Sequence, residues 1–251
     1  MNVGIYGLGR FGAFWAAELA KSLPVKGYNR TRRDFSLPGV EIVSEEELLT
    51  CDTIVLCVAI SALKGVLSDL APKLRPGTLV MDTCSVKVYP AQVMLEVLPE
   101  SVDIIATHPM FGPDSGRDSI NGLPLVFSPV RCADTRVQQW ISVFNELHLK
   151  ILQMDCDQHD REAAYSQGVT HFVGRVLDEL HLAPTEIATV GYRRLMSIVE
   201  QTCNDPIQLF YDLQRYNPYA HDMRIHLNAA LDTVLKVLDE HDSAPVEFSE
   251  R

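Results

Sequence analysis

The sequence predicts an α/β protein in two parts: a mostly parallel sheet domain over residues 1–155, followed by an all-helical domain over residues 156–251. Three observations carry that prediction. Short β-branched runs alternate with helix-length amphipathic stretches up to about residue 154, the pattern of a sheet covered by helices on both faces. A glycine motif, Gly7-Leu8-Gly9-Arg10-Phe11-Gly12, joins the first strand-like run to the first helix-like one. From Gln158 to His241 the alternation stops, and apolar residues recur only at helical spacing.

Taken in order, the expected strands are Val3 to Tyr6, Val25 to Tyr28, Thr53 to Val58, Thr78 to Met81, Asp103 to Ala106, Leu125 to Phe127 and Leu149 to Met154. The glycine motif opens a helix expected over Phe14 to Leu23. Ser44 with Glu47 forms a capping box ahead of the strand at Thr53, and Pro76-Gly77 marks entry to the next strand. In the second half, Pro184, Asn204-Asp205-Pro206 and Asn217-Pro218 separate helices. The last helix, roughly Tyr219 to Leu238, sets Met223, Leu227, Ala230, Leu231, Val234 and Leu238 on one apolar face. The tail after His241 reads as disordered.

Composition narrows the function. Six cysteines are scattered without a CxxC pair, which fits reduced thiols and argues against a zinc site. No apolar run approaches the roughly 18 residues of a membrane helix, and the N-terminus has no signal-peptide pattern. A soluble, cytoplasmic protein is expected. The formal charge of −11 disfavours nucleic acid and anionic membranes, whose binding rests on lysine and arginine. Any anionic ligand must be held by a few local cations.

The placement of the glycine motif between strand and helix makes the first part a Rossmann-type dinucleotide-binding domain. Gly7 permits the tight turn, Gly9 lets backbone approach a pyrophosphate, and Gly12 allows close helix packing. Arg10 and Phe11, at the helix start, and Cys57 and Val58, at the end of the third expected strand, join the cofactor site. At the end of the second strand an acid would bond the ribose 2′-hydroxyl of NAD. Instead the chain reads Asn29-Arg30-Thr31-Arg32-Arg33, with Asp34 only several residues on. An amide, a hydroxyl and guanidinium groups suit a 2′-phosphate, so NADP is the expected cofactor.

Two further segments follow expected strands: Asp82-Thr83-Cys84-Ser85-Val86-Lys87 and Thr107-His108-Pro109-Met110-Phe111-Gly112-Pro113-Asp114-Ser115-Gly116. Ligands of open α/β sheets bind beyond the carboxyl ends of strands, so both can face one crevice. A histidine in this Gly/Pro-rich loop can take a proton from an alcohol while hydride leaves the same carbon, with a nearby serine to orient it.

At these residues the chain resembles the prephenate and arogenate dehydrogenases. The resemblance runs along nearly the whole length. It rests on GLGRFG, on Ser85 to Lys87, on THPMFGPDSG, and on His159-Asp160 with Ser166-Gln167 and Thr170-His171. Gly191-Tyr192 through Asp205, with Phe210-Tyr211 and Tyr216-Asn217, looks most like the plant arogenate enzymes. By that resemblance, His108 accepts the proton of the substrate's C4 hydroxyl, and Ser85 hydrogen-bonds that hydroxyl and the histidine. Gln167 and His171, at i and i+4 on one helix face, are expected to meet the substrate.

Tyr192-Arg193 is similar to a tyrosine-arginine pair of bacterial members whose arginine grips the substrate. Arg193 and Arg194 diverge by about 100° on a helix, so only one of them is expected to enter the site. Asp205 has two readings, a counter-charge for the ammonium of arogenate or a cap ahead of Pro206. The resemblance implies conversion of arogenate to tyrosine with NADP, the alternative being prephenate to 4-hydroxyphenylpyruvate. It also implies a homodimer through the helical domain, which would then serve both dimerisation and substrate binding. A different reading is a non-catalytic NADP-binding sensor. The chain ends near the helical domain, and no appended regulatory or mutase domain is expected.

Overall fold

The computed structural model describes residues 1–31 and 36–242. Eight strands form a single sheet: β1 Val3–Tyr6, β2 Val25–Tyr28, β3 Val40–Ile42, β4 Thr53–Leu56, β5 Leu79–Asp82, β6 Asp103–Pro109, β7 Pro124–Arg131 and β8 Lys150–Gln153. Their order is β3-β2-β1-β4-β5-β6-β7-β8. The first six run parallel, β7 is antiparallel to β6, and β8 is parallel to β7. The chain winds outward from β1 in one direction and from β4 in the other, so a crevice opens between their carboxyl ends. The central strands are buried on both faces, which is why they read as continuous apolar runs rather than alternations.

Five helices cover the sheet: α1 Arg10–Leu19, α2 Glu45–Leu48, α3 Leu63–Leu70, α4 Val88–Val97 and α5 Asp134–Glu146. One face carries α1 and α5 over a core that includes Trp15, Trp140 and Phe144. The other carries α2, α3 and α4, and here Leu213 of the helical part joins the same core. The helical part comprises α6 Cys156–Ala163, a π turn over Ala164–Gly168, α7 Val169–Asp178, α8 Val190–Asn204, α9 Ile207–Tyr216 and α10 Ala220–Asp242. Gly174 lets α7 and α8 touch, because a β-carbon there would lie 2.2 Å from Thr202 Oγ1.

Several expectations shift. Strand β3 was not anticipated; it is three residues at the sheet edge, with Glu41 and Ile42 exposed, too short and polar to register. Helix α1 begins at Arg10, directly after the glycine turn, rather than at Phe14. The Ser44 capping box forms, its hydroxyl accepting from Glu47 N. Strand β6 continues through Pro109, so His108 stands in a strand opposite Val126 and not in a loop. Arg32, Arg33 and Asp34, and the tail from residue 243, lie outside the described residues.

Candidate active site

The glycine turn is shaped by contacts that only glycine allows. Gly7 has φ +102, and a β-carbon on it would meet the Cys57 carbonyl oxygen at 2.5 Å. On Gly12 it would lie 1.9 Å from the Gly7 carbonyl oxygen, whereas over Gly9 nothing stands within 4 Å. Gly9 is also the N-cap of α1, and no side chain caps that helix. Open space above an uncapped helix N-terminus is what a pyrophosphate needs, so the turn fits a dinucleotide. Asn29 holds the turn in place: its Oδ1 accepts from Leu8 N at 3.0 Å and its Nδ2 donates to the Thr31 carbonyl at 2.6 Å. One N–H of its amide is therefore engaged within the protein. Arg30 and Thr31 are exposed just beyond it.

From this turn a cavity of about 590 Å³ extends between the sheet's carboxyl edge and the helical part. Arg10, Phe11, Cys57, Val58, Ser85 and His108 line it from the sheet side. Gln167, His171 and Asp205 line it from the helical side. Burial pushes the Cys57 thiol up to about 12, so it lines the cavity as a neutral group.

His108 is buried at the floor. Its Nδ1 lies 2.9 Å from His159 Nε2, and His159 Nδ1 lies 2.7 Å from Asp160 Oδ1. The hydrogen bond to Ser85 that the family resemblance implies is not formed; Ser85 lines the same cavity without a hydrogen bond among the described residues. Behind His108, the fully buried Lys87 pairs with Asp82 and donates to the Thr107 carbonyl at 2.5 Å. That tie joins the ends of β5 and β6 and sets the backbone on which His108 stands. Burial, then His159 and the Lys87 ammonium, hold His108 well below the ordinary histidine value. It is neutral at physiological pH, as a base must be.

The helical side presents polar atoms without partners. Gln167, in the π turn, buries Oε1, and His171, one turn on, buries Nδ1, neither with a hydrogen bond. Arg175 continues the same face and buries Nε likewise, while its Nη2 donates to the carbonyls of Thr202 and Asp205 at 3.1 and 3.2 Å. Unpartnered buried polar atoms are costly, and two of these residues, Gln167 and His171, line the cavity, which marks where a polar ligand docks. Burial, with Arg175 beside it, pushes His171 down to about 4.

At the mouth, Arg10 pairs with Asp114 Oδ2 at 2.5 Å and Asp205 Oδ1 at 3.4 Å. Pro206, not Asp205, is the N-cap of α9; Asp205 is the C-cap residue of α8, and it lines the cavity. Burial raises its pKa, opposed by Arg10 and Arg175 and aided by Asp114.

Neither Arg193 nor Arg194 enters this chain's cavity. Thr189 caps α8, which places both arginines in its first turns; Arg193 folds back onto the Ala188 carbonyl at 2.6 Å and Arg194 is exposed. Sequence reasoning also passed over Asp212, which lines the cavity and accepts from Ser61 N, Ser61 Oγ and Gln208 Nε2. Its i, i+4 spacing from Gln208 was a readable signal; its pairing with Ser61 was not.

Residues 39–153 match the family described as prephenate dehydrogenase, nucleotide-binding domain, and residues 176–249 that described as TYRAAT1-like, C-terminal domain. The chloroplastic arogenate dehydrogenase 2 of Arabidopsis thaliana is 35% identical over 254 aligned positions, taking in 95% of this chain and 70% of that protein. The chloroplastic arogenate dehydrogenase 1 of the same plant is 35% identical, over 93% of this chain and 38% of its own length. Among solved structures, prephenate dehydrogenase from A. aeolicus in complex with hydroxyphenyl propionate and NAD+ shares the fold. Its TM-score is 0.77 at 18% identity, covering 97% of this chain and 92% of that one.

Proposed function

The chain belongs to the prephenate and arogenate dehydrogenase family, and from that premise we propose that it oxidatively decarboxylates arogenate to tyrosine with NADP. One observation carries the choice of substrate: three carboxylates, Asp114, Asp205 and Asp212, line the cavity against one arginine, Arg10, among the described residues. An acidic lining favours a substrate bearing an ammonium over one bearing a keto oxygen at that position.

When bound, NADP accepts the hydride that leaves the ring C4 of the substrate. The uncapped start of α1 and the space over Gly9 receive its pyrophosphate. Arg30 stands ready for a 2′-phosphate, with Arg32 two residues on in the sequence and no acid at the end of β2. His108 accepts the C4 hydroxyl proton at Nε2, the nitrogen that His159 leaves to the cavity. Ser85, on the same wall, has its hydroxyl available to that oxygen. Gln167 and His171 offer their unpartnered atoms to the rest of the substrate. Loss of carbon dioxide aromatises the ring, so the protein chiefly aligns the reactants and removes one proton.

A homodimer through the helical part completes the reading. Leu231, Val234, Leu235 and Leu238 of α10 are all exposed, and such an uncovered apolar stripe favours a partner. Arogenate and prephenate, each assayed with NADP and with NAD, test the proposal through absorbance of the reduced cofactor. Arogenate with NADP is expected to give the highest kcat/KM; a higher value with prephenate refutes the substrate.

A further inference from the structure

Asp160 occupies a position that its neighbours define closely. It is fully buried, its Oδ1 accepts from Lys87 N at 2.6 Å, and its Oδ2 accepts from Val88 N at 2.9 Å. Those two N–H groups open α4, so the carboxylate caps a helix N-terminus, where negative charge is favoured. Asn217 Nδ2 donates to the Asp160 carbonyl at 2.8 Å and fastens the backbone as well. A cap explains why an acid stands there. It does not explain why the neighbouring imidazole reaches from that acid to His108.

The hydrogen-bond polarity supplies the explanation. A carboxylate already accepting backbone N–H groups accepts from His159 too, which puts the His159 proton on Nδ1. In a neutral His159, Nε2 is then a lone pair, and across 2.9 Å it accepts, which puts the His108 proton on Nδ1. A neutral imidazole has one ring proton, and His108 Nε2 is thereby left unprotonated beside the cavity. The rings meet edge-on, with centroids 5.1 Å apart and planes at 69°, the geometry such a bond needs.

We propose that His159 and Asp160 are positioning residues for the reaction: together they select the His108 tautomer whose Nε2 is free to take the substrate's proton. The proposal rests on His108 being the base. Without the pair, His108 divides between two tautomers, one of which presents an N–H to the substrate and cannot accept.

The test combines a structural readout with kinetics. In the cofactor-free protein labelled with ¹⁵N-histidine, the ring shifts of His108 are expected to report a proton on Nδ1. His159→Leu is expected to abolish that preference and to lower kcat by about 10- to 100-fold with KM little changed. His159→Gln keeps an acceptor toward His108 and a donor toward Asp160, and is expected to restore most of kcat and the Nδ1 proton. It also guards against a leucine variant that fails to fold. A His108 proton on Nε2 in the wild type, a His159→Leu enzyme with wild-type kcat, or a glutamine variant as impaired as the leucine one overturns the proposal. His108→Gln separates the two readings: if it stays active, the base assignment itself fails, whereas the tautomer measurement needs no substrate.

Discussion

The floor and the mouth of the cavity are built from the same kinds of side chain and behave differently. At the floor, His108, His159, Asp160, Lys87 and Asp82 are all buried, and each is pinned to backbone or to another member. At the mouth, Arg10, Asp114 and Asp205 form ion pairs with side chains 41%, 33% and 28% exposed. Water screens the second group and not the first. The floor can therefore hold a reactive group in one protonation state, while the mouth can discriminate by charge and still open. On the proposed function, chemistry and selectivity fall at opposite ends of one cavity.

The sharpest way to break this contrast is at the floor. His108→Gln is expected to lower kcat by roughly 10²- to 10⁴-fold with an unchanged melting curve; a small loss would mean another group takes the proton. Gly12→Ala places a β-carbon 1.9 Å from the Gly7 carbonyl. It is expected to destabilise the chain by about 1–3 kcal/mol and to weaken NADP binding, both measurable by thermal melts with and without cofactor. At the mouth the effects are smaller and redirect rather than abolish activity. Asp205→Asn is expected to lower the preference for arogenate over prephenate by about 10-fold in kcat/KM, and an unchanged ratio would remove Asp205 from substrate selection. Arg10→Gln is expected to change stability by no more than about 1 kcal/mol, read from denaturant titration, since it loses only exposed pairs.

The pH dependence sharpens the same comparison. Burial, with His159 and Lys87, depresses His108, so kcat is expected to stay level as pH falls through about 6.5, the usual histidine value, and to decline only below it. A limb at the usual value would show that His108 is more hydrated than its packing implies. Stability should move in the same window. The unfolded chain protonates its histidines below about 6.5, while folded His108 and His171 resist, His171 down to about 4. The melting temperature is accordingly expected to fall as pH drops from about 6.5 toward 4.

Much of this was legible from local pattern. Strands β1, β2, β4 and β5 stand within two residues of their expected bounds, because buried parallel strands need unbroken apolar runs that turn residues cannot imitate. Gly9 to Gly12 of the glycine motif, Ser85, His108, Gln167, His171 and Asp205 were all singled out, and all line one cavity. Asn29 and Arg193 make contacts that residue type alone did not announce. Residue type suggests a ligand contact, but Asn29 found backbone partners in the glycine turn and Arg193 found the start of its own helix. Such short-range competition is decided by which donors and acceptors lie within about 3 Å, and spacing along the chain does not record that.

By itself the sequence determined the order of sheet and helix, the place of the dinucleotide turn and the candidate for the base, since each depends on neighbours within a few residues. Only the tertiary structure decided that His108 bonds to His159, that Asp160 caps α4 while facing His159, and that Asp205 turns inward beside Arg10. Those contacts join residues 51, 73 and 195 positions apart. They exist because the sheet's winding and the packing of α6 and α9 bring separate elements to one edge, and no local periodicity encodes that.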